Sequence, residues 1–281
     1  MSIEKIKLMN KVASKSKVSL VVADVDGTLV TPNKVLTERA CAAVKKLHDA
    51  NIMFAVTSGR PPLGLKMLVE PLNLQVPIGA FNGGVFIKPD LSVIEQNCLP
   101  QEITEQAISI IRKHNLDVWI YSGKDWYVQD KNGAHVDRES NTVKFEPTVV
   151  DGYDDLLDAA VKIVGVSDDL DAVAECEAEA QKKLGKNASA SRSQDYYLDI
   201  THPCANKGTV VQRLSEILDI SLENIATMGD MPNDVPMFEL SGTSIAMGNA
   251  SDKVQQQATY TTASYTEEGF AKAIENFILN Q

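Results

Sequence analysis

The sequence holds no CxxC pair and no HExxH or HxxxH spacing. Its four cysteines, Cys41, Cys98, Cys176 and Cys204, lie far apart. This excludes a disulfide framework and a zinc knuckle, and points to free thiols in a reducing compartment. His48, His114, His135 and His202 supply no imidazole metal motif. No apolar run is long enough to span a bilayer, and neither an internal repeat nor a low-complexity segment is present. Basic residues are in deficit: 27 Lys plus Arg stand against 38 Asp plus Glu, a net charge of −11. That balance argues against non-specific nucleic-acid binding and against docking on anionic lipid.

What is present is an ordinary globular composition, 44% hydrophobic and 23% charged, which excludes intrinsic disorder. At ~100–200 residues per domain, the 281 residues make one large domain or two moderate ones. Residues Met1 to Lys17 alternate apolar positions with Lys5, Lys7, Lys11, Lys15 and Lys17. They lack the continuous apolar region of a signal peptide, so residues 1–17 are expected to be a basic leader before the first strand. The chain reads as a soluble, cytoplasmic monomer or homodimer with neither a nucleic-acid nor a membrane partner.

Apolar runs at Val18 to Ala23, Ile52 to Val56 and Ile78 to Phe81 predict buried parallel strands. Between them, helical spacing begins at Thr37 (Ala40, Val44, Leu47, Ala50) and spans Leu63 to Leu72. This β-α-β-α-β series implies an α/β fold with a parallel-sheet core and helices on both faces. After Gly84 the rhythm changes. A hairpin (Val85 to Ile87, Ser92 to Glu95), a helix (Glu102 to His114), paired strands (Val118 to Tyr121, Trp126 to Gln129) and a charged helix (Asp169 to Leu184) predict an inserted α/β module. Strands at Val161 to Val166, Ser189 to Ser193 and Tyr196 to Ile200 complete it. The parallel pattern resumes with a helix capped by Asn206, strands at Asn224 to Met228 and Thr243 to Ala246, and a last helix from Glu267 to Leu279.

Four polar clusters fall where core strands end or helices begin: Asp24-Val25-Asp26-Gly27-Thr28, Thr57-Ser58-Gly59-Arg60, Asn206-Lys207-Gly208 and Gly229-Asp230-Met231-Pro232-Asn233-Asp234. Ligands of open parallel sheets bind beyond the carboxyl ends of the strands, so all four can converge on one crevice. Residues two apart in an extended segment share a side, which predicts Asp24 and Asp26 in one pocket. Two such carboxylates do not both ionise fully without a cation. A division of labour follows, one ionised as nucleophile and the other protonated as general acid. Ser58 and Gly59 offer a hydroxyl and unhindered N–H groups to a phosphate oxygen. Lys207 can face the same anion from a helix N-terminus. Asp230 and Asp234, with Asn233 beside them, suit a hard cation such as Mg²⁺. Each cluster also has a plain reading as a helix cap, turn or solvated surface.

Taken together and in this order, the clusters resemble the motifs of the haloacid-dehalogenase-like phosphohydrolase superfamily, above all its Cof-like sugar-phosphatase subfamily. The resemblance runs from Val18 to the C-terminus and implies a Rossmann-like catalytic core (18–84 and 196–281) interrupted by an α/β cap (85–195). It implies Asp24 as nucleophile, forming an aspartyl-phosphate, and Asp26 as acid and then base. Mg²⁺ would be held by Asp24, Asp230 and the backbone carbonyl of Asp26. Ser58, Gly59, Lys207 and Asn233 would bind the phosphoryl group of a small metabolite, such as a sugar phosphate. Asp234 would orient Lys207 or a metal-bound water, and Asn82 would lie near the substrate. Many relatives carry Thr at the position of Ser58, and either Thr57 or Ser58 can supply that hydroxyl. Related P-type ATPases carry Thr at the position of Asp26, so the acid here favours a phosphatase over a pump. Arg60 recognises substrate or braces its loop. Trp119, Tyr121, Trp126 and Tyr127 stack on a sugar or, as the favoured reading, pack the cap. Alternatives are a phosphosugar mutase, a phosphorylation-dependent regulator and a non-catalytic sugar-phosphate binder.

Overall fold

The four residues Leu20–Ala23 (β1) are all buried, a run that suits a central strand covered on both faces. The computed structural model describes residues 18–280, so the expected basic leader lies outside them. Thr37 caps the next helix, its Oγ1 accepting the Ala40 N–H at 3.1 Å, and Glu38–Asp49 (α1) then leads into Met53–Val56 (β2). The single helix expected over Leu63 to Leu72 is instead a 3₁₀ turn, Pro62–Leu65, and one helical turn, Lys66–Val69 (α2). Adjacent Pro61 and Pro62 lack N–H groups, and Gly64 is a poor helix former, so a longer helix is not nucleated here.

Ile78–Ala80 (β3), Val85–Ile87 (β4) and Val93–Gln96 (β5) form a three-stranded antiparallel sheet. The third expected core strand thus touches the parallel sheet only through the bridge Thr57↔Gly79. Beyond it, Gln101–Lys113 (α3) precedes Asp117–Ser122 (β6) and Asp125–Val128 (β7). The helix Val136–Val143 (α4) and strand Thr148–Val149 (β8) were not legible in the sequence: both are short and polar. Lys162–Val166 (β9), Leu170–Leu184 (α5), Ser189–Gln194 (β10) and Tyr197–Thr201 (β11) finish the inserted module. Its sheet runs β10-β11-β9-β6-β7-β8.

Alternation along β6 sorts the two faces of that sheet. Val118 and Ile120 join a cluster with Ile103, Ala107 and Ile111 of α3 and Val173 and Cys176 of α5. Trp119 and Tyr121 point the other way and merge with the main core, where Tyr121 meets Phe81 at 5.1 Å between ring centroids. The cap therefore carries its helices outside and its aromatic face towards the parallel sheet.

Asn206 Oδ1 accepts the Thr209 N–H at 3.0 Å and starts Lys207–Leu218 (α6). Ile225–Gly229 (β12), Val235–Leu240 (α7), Thr243–Ala246 (β13), Asp252–Gln255 (α8) and Tyr260–Thr261 (β14) follow. The parallel sheet has the order β14-β13-β12-β1-β2, with Ala23 in register with both Met228 and Val56. The expected final helix is broken into a 3₁₀ turn at Tyr265–Glu267, Gly269–Ala273 (α9) and a π turn at Ile274–Ile278. Glu268 at φ 61° interrupts it.

Backbone pairing also shifts two segments relative to the expected division at 85 and 195. β4 pairs with β3 and buries Val85 and Ile87 in the main core, while β11 is hydrogen-bonded between β9 and β10 in the cap sheet. Strand periodicity does not reveal which distant strand will be the partner. Phe54 on β2 is 1% exposed and packs edge-on against Phe270, with ring centroids 5.7 Å apart. Phe54→Ala is expected to lower unfolding free energy by about 3–5 kcal/mol; urea denaturation reads this, and a loss of under about 1 kcal/mol would contradict a rigid core at this point.

Candidate active site

Asp24 follows directly on β1, and its N–H is tied to the Met228 carbonyl of β12 at 2.9 Å. Across the sheet end, Lys207 opens α6 with its ammonium buried, 2% exposed. Lys207 Nζ donates to Asp24 Oδ1 at 2.6 Å and makes a very short bond to Asp234 Oδ1. The other oxygen of Asp234 accepts the backbone N–H groups of Asp230 and Met231, both at 2.8 Å. Asp234 thus uses both oxygens, one on Lys207 and the other on the turn after β12. Asp230 accepts from Thr28 Oγ1 at 3.2 Å and from Asn249 Nδ2 at 3.1 Å.

Two glycines permit this crowding. A Cβ at Gly27 would stand 2.3 Å from Asp230 Oδ2, and the residue sits at φ +86°; a Cβ at Gly229 would stand 2.3 Å from Asp234 Cγ. No side chain fits at either place.

Asp24, Asp230 and Asp234 each offer an oxygen within 4.8 Å of the others, a group that could hold a metal ion. All three are buried, and a single ammonium compensates them. Burial raises the Asp24 carboxyl to about 7 against the pull of Lys207, with Asp234 and Asp230 adding to the rise. Asp230 rises to about 6, through burial and then Asp234. Burial pushes the Lys207 ammonium down, but Asp24 and Asp234 outweigh it and the net shift is upward. Three buried carboxylates sharing one cation are short of positive charge, and an all-oxygen donor set matches a hard divalent ion. The residues thus fit the expected cation.

Asp26 is held quite differently from Asp24. It lies beyond the end of β1, bridged to Val30, where strand alternation no longer governs direction. Its carboxylate is gripped by Arg60, with Nε and Nη2 both at 2.7 Å, and by Lys34 Nζ at 2.6 Å. Its carboxylate is not part of the acidic cluster, whose third member is Asp234. Burial raises the Asp26 carboxyl, but Arg60 and then Lys34 outweigh it and hold the group below the usual carboxylate range. Without a cation, Asp24 is the carboxyl that burial pushes up, and Asp26 the one its cationic partners hold down. Arg60 braces rather than waits for substrate, since the bidentate pair commits its guanidinium.

A cavity of about 490 Å³ opens between the sheet end and the cap. Asp24, Asp26, Ser58, Gly59, Arg60, Asn82, Lys207 and Asn233 all border it, so the residues singled out from four separate clusters converge on it. Thr57 is fully buried and does not border it, which leaves Ser58 as the hydroxyl facing the cavity. Ser58 Oγ accepts the Arg60 N–H at 3.2 Å, leaving its own proton to donate. Asn82 stands in the left-handed region, φ 56°, with its N–H on the Ser58 carbonyl at 2.7 Å. Trp119 and Tyr121 border the cavity but are almost wholly buried, and Trp126 packs behind them, so packing prevails for these aromatics.

Sequence reasoning missed Thr28, Lys34 and Asn249. Thr28 stands inside the first cluster, and Asn249 follows Gly248 just past β13, the same strand-end signal that marked the other clusters. Nothing local marks Lys34. Among the described residues no helix is long and apolar enough to cross a membrane.

The family model of the haloacid dehalogenase-like hydrolases matches residues 21–274. A putative phosphatase of Haemophilus influenzae is 27% identical over 91% of this chain and 96% of its own length. The 5-amino-6-(5-phospho-D-ribitylamino)uracil phosphatase YwtE of Bacillus subtilis is 26% identical over 92% of this chain and 97% of its own. In three dimensions, a haloacid dehalogenase-like hydrolase from Bacteroides thetaiotaomicron superposes with a TM-score of 0.83 at 26% identity, covering 92% of this chain and 98% of that one. With a match spanning both halves of the sheet and the inserted cap, the chain belongs to the haloacid dehalogenase-like hydrolases, and its named relatives are phosphatases.

Proposed function

We propose that this enzyme hydrolyses a phosphomonoester of a small metabolite, a sugar phosphate or a related polyol phosphate, through an aspartyl-phosphate on Asp24 and with Mg²⁺ as cofactor. The observation that carries this reading is the buried Lys207 ammonium, joined to Asp24 and Asp234 and bordering, with Asp24, a cavity of small-metabolite size. The four cysteines stand free, as suits a cytoplasmic enzyme. The relative named for a phosphorylated ribityl substrate supports the polyol class.

Asp24 and Asp230 would hold the cation, with the backbone carbonyl of Asp26. When bound, Mg²⁺ supplies positive charge to the phosphoryl oxygens and favours the ionised form of Asp24. Lys207, the Ser58 hydroxyl and the Gly59 N–H would orient the phosphoryl group, with Asn233 at the rim. An Asp24 oxygen attacks phosphorus; the new P–O bond forms as the bond to the leaving oxygen breaks, and Asp26 delivers a proton to that oxygen. Asp26, ionised again, then takes a proton from water as the water oxygen attacks phosphorus. The aspartyl P–O bond breaks, releasing inorganic phosphate and free Asp24.

Asp26 meets the requirements of these two half-reactions differently. Held by Arg60 and Lys34 as a carboxylate, it is ready for the base step. The acid step requires it to gain a proton, which a phosphate dianion arriving nearby favours by repelling the carboxylate.

Phosphate release from a broad panel of phosphorylated metabolites, with Mg²⁺ and with EDTA, tests the reading. Turnover is expected with Mg²⁺, reversible loss with EDTA, and loss of at least about 10³-fold in Asp24→Asn with circular dichroism unchanged. Full activity in that variant or in metal-free buffer would remove the covalent, cation-assisted mechanism. The raised carboxyls make a separate prediction for metal-free protein. Asp24 and Asp230 sit near 7 and 6 when folded against 3.8 ordinarily, so their contribution is complete below the ordinary value and is lost as pH rises through 6 to 7. The melting temperature in EDTA should therefore fall between about pH 4 and about pH 7 and recover with Mg²⁺; a flat profile unaffected by Mg²⁺ would contradict it.

A further inference from the structure

The cap wall of the cavity carries polar groups that the phosphoryl chemistry does not use. Tyr197 and Asp199 lie two apart on β11, so both project from the same face of the strand, and both border the cavity. Asp199 Oδ2 is paired with Lys162 Nζ at 2.7 Å. Its Oδ1 is buried and has no hydrogen-bond partner among the described residues, and the same holds for the hydroxyl of Tyr197, a residue only 8% exposed. Nearby, Glu139 is engaged by the Tyr121 hydroxyl at 3.0 Å. Arg138 stacks over the Tyr196 ring at 4.8 Å.

Buried polar atoms without partners are costly, and the exceptions mark places where a ligand completes the set. The chemistry of the two atoms defines the ligand. A carboxylate oxygen only accepts, whereas a phenol both donates and accepts. The lysine beside them is already neutralised by Asp199, so an anionic leaving group would set its charge against Asp199 and Glu139. A group bearing O–H donors would satisfy both atoms without opposing any charge.

We propose that Tyr197 and Asp199 form the leaving-group subsite and select a polyhydroxylated substrate. A substrate hydroxyl donates to Asp199 Oδ1, and a substrate oxygen accepts from the Tyr197 hydroxyl. This rests on the phosphatase reading and names the residues that choose its substrate.

The test is a matched pair of esters with the same carbon count, sorbitol 6-phosphate and hexyl phosphate, which differ in hydroxyl groups. Wild-type enzyme favours the polyol in kcat/KM. In Tyr197→Phe and in Asp199→Leu the ratio of the two kcat/KM values falls about tenfold or more, the loss expected for a hydrogen bond to a buried partner. Tyr197→Phe preserves shape, so it carries the test if Asp199→Leu, which leaves Lys162 without its carboxylate, fails to fold. Parallel losses on both esters, with the ratio unchanged, would overturn the subsite while leaving the phosphatase reading intact. A wild-type enzyme that prefers hexyl phosphate would also overturn it. A wild-type protein that hydrolyses no ester at all would overturn the phosphatase reading and this inference with it.

Discussion

The ammonium of Lys207, buried between Asp24 and Asp234, is the contact on which the rest of the site depends. It joins the end of β1 to the start of α6 and to the turn after β12, three segments remote in sequence. Removing either carboxylate would leave a buried charge underpaired, and removing the lysine would leave two carboxylates in mutual repulsion. Asp234, with its second oxygen on the N–H groups of Asp230 and Met231, also sets where Asp230 stands. One buried triad thus positions both the nucleophile candidate and the cation-ligand candidate.

Around that triad the charges are divided into two groups. Asp24 and Asp230 are pushed up by burial and by Asp234, while Asp26 is pulled down by Arg60 and Lys34. The two aspartates of a single sequence cluster therefore have opposite characters, although only Val25 separates them. The cause is solvent and partner, not residue type: Asp24 is fully enclosed, whereas Asp26 lies against a guanidinium at the cavity's edge. The −11 net charge has no bearing on this local arrangement, because surface charge and a desolvated pocket obey different dielectrics.

The cap completes the enclosure by a simple property of strands. Alternation sends Val118 and Ile120 to the outer helices and Trp119 and Tyr121 to the inner face, where Tyr121 meets Phe81 of the core. The same alternation on β11 turns Tyr197 and Asp199 to the cavity and Leu198 and Ile200 away from it. Packing and recognition are thereby written on one strand.

Much of this was legible in the chain itself. Apolar runs placed β1, β2, β12 and β13 to within a residue or two, and Asn206 announced its cap, because these features depend on neighbours a few positions away. The four polar clusters were also visible, since strand ends of a parallel sheet collect ligand groups whatever their sequence separation. The tertiary structure alone decided that β11 joins the cap sheet and that β4 stays with the core, because strand partners are chosen by distant backbone. It also decided that Asp26 turns to Arg60 and Lys34, that Thr57 is buried while Ser58 borders the cavity, and which carboxyl burial pushes up. Those outcomes depend on burial and on charges brought together from far along the chain, and neither quantity exists until the chain has folded.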